Sequence, residues 1–319
     1  MANLYKYMGA DIADVLLMDN DHFSIKFSHL KDYNDPYEFF LTISYQRPAA
    51  ELAFYNEMIA MVLQQPVTCF AKSPVIIPMW AHYANNSTGF SLEIDEGKLE
   101  KHIINLGYGD ISGLIDVEYR DVPIDGINEM LDRAYHICKP RHIGFLQEYI
   151  RYSAYSVKKT CWSYEQERRC IIDENALSKI HANLMVLSVP TDCIKSIIIG
   201  AMATPELKKK MSDISDKIGC QYYEMVIGKS TTEPFMLDPH QKTYRFDGEN
   251  IVFQSYSCQK CHEPVDDGAR QCAWCSITKN DQKEAEYKNS FRMLGSAGIL
   301  DDYLKRFQAI GQAARDKKG

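Results

Sequence analysis

Residues 258–275 read CQKCHEPVDDGARQCAWC, two Cys-x-x-Cys pairs with ten residues between them. Each pair sets two sulfurs on one tight turn, and thiolates spaced this way reach a single metal at about 2.3 Å in a tetrahedron. Pro264, Asp266, Asp267 and Gly268 supply the turn that the short intervening loop requires. Four thiolates fill the coordination sphere and leave no position for water. Cys258, Cys261, Cys272 and Cys275 are therefore expected to hold one structural zinc, with iron in the same four-sulfur cage as the alternative. His262 is read as a surface residue. The cluster also sets the frame for the rest of the chain. A boundary is expected between Gln254 and Ser257, giving a main domain over 1–255, a zinc module over 256–278 and a helical hairpin over 279–319.

Outward from the cluster, the chain has 319 residues, 45% hydrophobic and 25% charged, which is ordinary globular composition with enough apolar material for a sizeable core. A net charge of −7 excludes a protein that attracts nucleic acid by its overall field, though not a local basic groove. No stretch is apolar for long enough to cross a bilayer, and MANLYKYMGADIAD lacks the basic start and apolar run of a signal peptide. A cytoplasmic protein with no membrane contact is expected. Thiols stay reduced in that compartment, so the ten cysteines do not read as a disulfide framework, and the six outside the cluster read as small core residues.

Upstream, strands are expected at Leu4–Tyr7, His22–Phe27, Val67–Phe70, Phe90–Ile94, Leu114–Tyr119, Cys170–Ile172, Leu184–Val189, Ile194–Ile199, Tyr222–Ile227 and Thr243–Phe246. Helices are expected over 11–18, from Pro48 to Pro66, and on either side of Pro140. Strands mixed with helices of unequal length, without regular alternation, predict an α+β fold with a mixed or antiparallel central sheet and flanking helices. Downstream, Tyr287, Phe291 and Leu294 mark one short amphipathic helix, and Leu300, Tyr303, Leu304, Phe307 and Ile310 a second, separated by Gly295 and Gly298. These helices pack on the zinc module or bind a protein partner.

The chemistry-bearing motifs of common enzymes are absent: no phosphate-binding loop, no His-Glu-x-x-His, no nucleophile elbow. Gly107-Tyr108-Gly109 with Gly113 does not join a strand to a helix and reads as a loop. Three clusters remain. They are Phe27-Ser28 with Asn34-Asp35-Pro36-Tyr37-Glu38, then Cys69-Phe70 with Met79-Trp80-Ala81-His82-Tyr83 and Gly89, and finally Trp162 with Glu165, Glu167 and Arg169. Together with the tyrosine-rich start LYKYMG, they resemble a bacterial family of unknown function carrying NDPxE, MWxHY and WxxExExR elements, over about residues 1–200. The resemblance implies an association with phage defence and names no mechanism. The cysteine module, for its part, resembles the short zinc ribbons.

A second resemblance, to ADP-ribosyltransferases, implies a mechanism. Glu165-Gln166-Glu167 entering a strand is similar to the E-x-E turn of those enzymes. Breaking the nicotinamide–ribose bond of NAD creates a cationic sugar centre, which a nearby carboxylate stabilises. The resemblance implies Glu167, Glu165, Tyr83 and His82 as catalytic residues, and Lys6, Tyr7, Asn34 and Trp80 as NAD-binding residues, with Lys6 where those enzymes commonly have His or Arg. The acceptor would be a macromolecule, nucleic acid included, and the setting a toxin or a defence protein. Plainer readings stand beside it: an exposed charged turn at 165–169, a simple turn at 34–38, a structural His82, and core positions for Trp80 and Tyr83. Two rival functions remain open. One is a sensor or adaptor acting through the ribbon and tail. The other is a metal-dependent nuclease using Asp35, Glu38, Glu93 and Asp95.

Overall fold

The computed structural model describes residues 3–35, 37, 43–107, 112–181 and 184–316. Pro36, Glu38 and Gly109 lie outside the described residues. The chain divides into two compact units, Met1–Ser255 and Tyr256–Gly319.

The first unit is a mixed α+β structure. Its early strands are β1 (Asn3–Met8), β2 (His22–His29), β3 (Pro66–Ala71), β4 (Phe90–Asp95), β5 (Gly113–Asp116), β6 (Glu118–Tyr119), β7 (Val157–Lys158) and β8 (Glu167–Ile171). The later ones are β9 (Ser178–His181), β10 (Leu184–Pro190), β11 (Ile194–Ile199), β12 (Gln221–Val226), β13 (Phe235–Leu237), β14 (Thr243–Phe246) and β15 (Ile251–Phe253). Helices α1 (Ala49–Ala60), α2 (Ile77–Tyr83), α3 (Glu96–Asn105), α4 (Ile127–Ile137), α5 (Pro140–Ser156) and α6 (Pro205–Ile218) lie between them. The main sheet runs β15-β14-β13-β12-β11-β4-β1-β3-β2-β10-β9, with β8 on β3 and β5 on β8; β6 and β7 form a separate parallel pair. Within the main sheet β11–β12 is parallel and the other pairings are antiparallel.

The sheet forks at β3, and this fork positions the site. One edge of β3 carries β8 along its whole length, while β1 and β2 share the other, meeting it at Ala71 and at Pro66–Val67. Directly opposed residues point to the same face, so Tyr5, Ala71 and Glu167 form one row, and Cys69, Arg169 and Ile115 the next row on that face. Val67, Ile171 and Cys69 on that face pack with residues of α1, α4 and α5, and Tyr5, Tyr7 and Ala71 pack with α2. On the opposite face Leu4, Phe70, Leu92 and Cys170 pack with Leu99 and Ile103 of α3 and Leu207 and Met211 of α6.

Local chemistry accounts for most element ends. Pro140 opens α5, and Asp95 and Thr204 cap α3 and α6 by accepting from Lys98 and Leu207 amides. Gly89 is compelled by close approach, since a Cβ there would stand 2.1 Å from the Met8 carbonyl oxygen. The helix expected over 11–18 is instead a short 3-10 turn at Ala10–Asp14. Residues beyond it fold back on β2: Leu17 bridges Phe23, and the Ser24 amide donates to the Leu16 carbonyl at 2.8 Å. The Asp19 carboxylate holds that reversal by accepting from the Asp21 and His22 amides, both at 2.7 Å.

In the second unit the cysteine turns are followed by α7 (Lys279–Lys288), α8 (Ser290–Ser296) and α9 (Leu300–Asp316). Three helices thus stand where the apolar spacing suggested two. Asn289 takes an extended conformation and caps α8 by accepting from the Arg292 amide, so Tyr287 and Phe291 fall on different helices. No helix among the described residues is long and apolar enough to cross a membrane.

Candidate functional site

A chain of polar groups runs from the surface into the core on the β8 face of the fork. Exposed Asn34 donates from its side-chain amide to the Tyr83 hydroxyl at 3.3 Å, and that hydroxyl donates to Glu165 Oε1 at 2.6 Å. Lys158 Nζ lies 2.7 Å from Glu165 Oε2 and 3.1 Å from Glu167 Oε2. Glu167 Oε1 accepts from Arg169 Nε at 2.8 Å, and Arg169 Nη1 donates to the Tyr155 carbonyl at 3.1 Å. Glu165, Glu167, Lys158 and Arg169 are all buried, Arg169 completely. Buried charge persists only when paired and hydrogen-bonded, and here two acids and two bases satisfy one another.

Three local features build this arrangement. Gln166 sits in the left-handed region with φ of 46°, an uncommon state for a residue with a side chain. It turns the chain between Glu165 at the end of a 3-10 segment and Glu167 at the start of β8, so that both carboxylates reach Lys158. Period-2 alternation along β8 then puts Glu167 and Arg169 on one face. Finally, the β6–β7 pair delivers Lys158, and Tyr119 opposite it accepts from the Glu167 amide at 2.7 Å.

The two carboxylates differ in acidity. Burial raises Glu165, Glu167 adds to the rise, and Lys158 and the Tyr83 hydrogen bond offset only part of it. Burial acts on Glu167 in the same sense, but Arg169 and Lys158 outweigh it and hold this carboxyl down at about 2. Tyr83 is pushed up, by burial and by the neighbouring Glu165. Glu167 is thus a locked counter-ion, whereas Glu165 is the member that a half-buried hydroxyl connects to solvent.

Of the residues singled out from sequence, the structure brings Asn34, Tyr83, Glu165 and Glu167 together. Lys6 stands apart. It pairs with Leu92 of β4, next to Tyr5, which shares the Glu167 row, so strand alternation points it to the opposite face. There Nζ donates to Thr68 Oγ1 at 2.7 Å and to the Cys69 carbonyl at 2.9 Å, above the Phe70 ring, and burial lowers its pKa. Trp80 is fully buried, its Nε1 donating to the Pro74 carbonyl at 2.7 Å, with Tyr7 packed edge-on at 5.1 Å. Tyr7 donates to the Ser73 carbonyl at 2.8 Å. Both are core residues here, with no ring face offered to a ligand. His82 is exposed and lies 6.2 Å from the Tyr164 ring. Lys158, Tyr119 and Arg169 were not read as site residues. Arg169 was legible from its i+2 spacing to Glu167; Lys158, in a two-residue strand at a helix end, carried no sequence signal.

The acidic set read for a nuclease does not converge among the described residues. Glu93 binds the Tyr5 hydroxyl at 3.2 Å and the Ser196 hydroxyl at 2.6 Å, Asp95 caps α3, and Asp35 accepts from the Tyr37 amide at 2.9 Å.

In the second unit the sulfurs of Cys258, Cys261, Cys272 and Cys275 all lie within 4.8 Å of one another, the only such group of possible metal ligands among the described residues. The separations Cys261–Cys272 at 3.7 Å and Cys261–Cys275 at 3.5 Å compare with about 3.8 Å for the edge of a tetrahedron with 2.3 Å zinc–sulfur bonds. Burial opposes ionisation of Cys258, but backbone amides, that of Cys272 foremost, bring it down to about 6. The arrangement is compatible with a zinc ribbon: the His262 amide closes on the Cys258 carbonyl at 2.8 Å, and Ser257 bridges Pro264.

No curated protein and no solved structure matches the chain. Residues 79–170, from α2 through the Glu165–Glu167 turn to β8, match the model of a family described as a protein of unknown function, DUF2971, and that segment holds Tyr83, Lys158 and both carboxylates of the network.

Proposed function

We propose that the first unit transfers ADP-ribose from NAD to a macromolecule, with Glu165 as the working carboxylate. The observation that supports this reading is the path Asn34–Tyr83–Glu165, which links a buried carboxylate of raised pKa to the surface at an E-x-E turn. In the reaction the ribose–nicotinamide C–N bond breaks and nicotinamide leaves with the electron pair. The carboxylate stabilises the cationic ribose and takes the proton of the acceptor as the new bond forms. A carboxylate raised toward neutrality suits the second role, and the Glu167–Arg169 pair holds the turn in place. Such chemistry fits a toxin or a phage-defence protein.

Incubation of the protein with labelled NAD and cell extract or RNA tests the proposal. Glu165→Gln keeps the shape and leaves Lys158 its Glu167 partner, so turnover is expected to fall about 10²–10³-fold with folding intact. Absence of NAD loss and of labelled product with the wild-type protein would sink the reading.

A second reading concerns the second unit, in which the four cysteines hold a structural zinc and the helices bind a protein partner. Its support is a set of exposed apolar side chains, Tyr287, Phe291, Tyr303, Phe307 and Ile310, more than solvated helices ordinarily present.

A further inference from the structure

Among the described residues of the first unit, a cavity of about 660 Å³ opens between β5, β6 and α5, away from the Glu165 network. Ile115, Ile124 and Ile171 form its apolar wall, and Tyr149 and Tyr152 present exposed rings at one side. This volume lies in the range of small-molecule sites, roughly 300–1,000 Å³. Arg120 is the unusual feature. Its side chain is 19% exposed, and Nε is buried with no hydrogen-bond partner. The terminal nitrogens face Glu118 at 3.5 Å and Asp125 at 3.7 Å, longer than good charge-assisted bonds. Both acids reach outward into solvent, Asp125 fully. Folded interiors rarely leave a guanidinium N–H such as Nε buried without an acceptor, because an unsatisfied donor is costly.

Arg151, partly exposed and paired with Glu148 at 3.1 Å, adds a second guanidinium to the lining. The three carboxylates of the lining, Glu118, Asp125 and Glu148, are each more than half exposed and Arg120 far less, so the charge most withdrawn from solvent is positive. A planar fork matches the oxygens of a phosphate, and tyrosine rings beside it offer flat faces to a base.

We propose that this cavity binds a nucleoside monophosphate, with its phosphate on Arg120 and its base against Tyr149 and Tyr152. The site is distinct from the Tyr83–Glu165 path: β6 and β7 lie between them, sending Tyr119 and Lys158 to the network and Glu118 and Arg120, their sequence neighbours, to the cavity. One phosphate, not a longer chain, suits a single guanidinium left without hydrogen bonds.

Calorimetric titration of the full-length protein with AMP, adenosine and inorganic phosphate tests the proposal. AMP is expected to bind at least tenfold more tightly than adenosine or phosphate alone. Arg120→Gln should weaken AMP at least tenfold. Tyr152→Ala, at a solvent-exposed ring, should weaken it several-fold with the melting temperature unchanged, which keeps the test valid if the arginine variant misfolds. Glu165→Gln should bind AMP as the wild type does, whether or not that residue serves in NAD chemistry. No AMP binding at millimolar concentration, or equal affinity in a folded Arg120→Gln or Tyr152→Ala protein, or loss of AMP in Glu165→Gln, overturns the proposal.

Discussion

Glu165 and Glu167 share Lys158, lie two residues apart and are buried to nearly the same extent, yet one is raised in pKa and the other held at about 2. Arg169 makes the difference, since strand alternation sets its guanidinium on Glu167, where it is the leading influence that lowers the pKa. Consequences for the two positions are opposite. Glu167→Gln removes a buried charge that both Arg169 and Lys158 bind and should destabilise the first unit by about 3–5 kcal/mol. That makes it a poor probe of catalysis. Glu165→Gln removes a carboxylate whose ionised form burial disfavours and leaves Lys158 its Glu167 partner, so it should cost less stability than Glu167→Gln. The pH dependence carries the sign. A carboxyl with a folded pKa below its unfolded value contributes stability above the unfolded value and loses it on acidification. Denaturant titrations of wild type and Glu167→Gln should therefore differ by a constant amount above pH 4.5 and converge as pH falls from 4.5 toward about 2. A gap that persists undiminished at pH 2 would show that Arg169 does not depend on this charge.

At the scale of elements, the turn Glu165–Glu167 and the first cysteine turn share one device, a residue with a side chain held in the left-handed region. Gln166 is left-handed and its carbonyl accepts from the Lys72 amide at 3.2 Å, which fastens the turn to the end of β3. His262, also left-handed with φ of 61°, plays the corresponding part beside Cys258 and Cys261. The cysteine element has little else to hold it, because few apolar side chains are buried there besides Cys258 and Cys272. Metal-binding free energy is folding free energy in so small a module. Elemental analysis should return about one zinc per chain. Chelation or Cys258→Ser should unfold residues 256–278, seen as loss of amide-exchange protection at the Cys258 and His262 amides, while β1 to β15 keep theirs. Retention of that protection in a metal-free sample would refute a structural metal.

At the scale of the whole molecule, the two units should separate under limited proteolysis. A stable fragment corresponding to Met1–Ser255 is the expected product, because thirteen of its strands form one sheet within it. Mass spectrometry of the first product checks this, and a first cut within Leu184–Ile199 would refute it. Much of the first unit was legible from local pattern: period-2 runs marked β1, β4, β11 and β12, and Pro140 marked the split between α4 and α5. Short strands such as β7 and β9 were not legible, because they are defined by whom they pair with.

The site itself divides along the same line. The resemblance to ADP-ribosyltransferases singled out Tyr83, Asn34 and the Glu165–Glu167 turn, which the fold brings together, and spacing singled out four cysteines whose sulfurs cluster. Sequence alone could not choose a face. A strand shows its two sides to sequence as mere alternation, and only pairing through β3 decided that Tyr5 shares the side of Glu167 while Lys6 looks away. Nor could it tell a stacking ring from a packed one: Trp80 is buried because Pro74 supplies an acceptor for its indole N–H and Tyr7 covers its face, contacts that exist only after the chain has folded. The differing acidities of the two glutamates come from Arg169 and Lys158, because acidity depends on which charges the tertiary fold brings within a few ångströms.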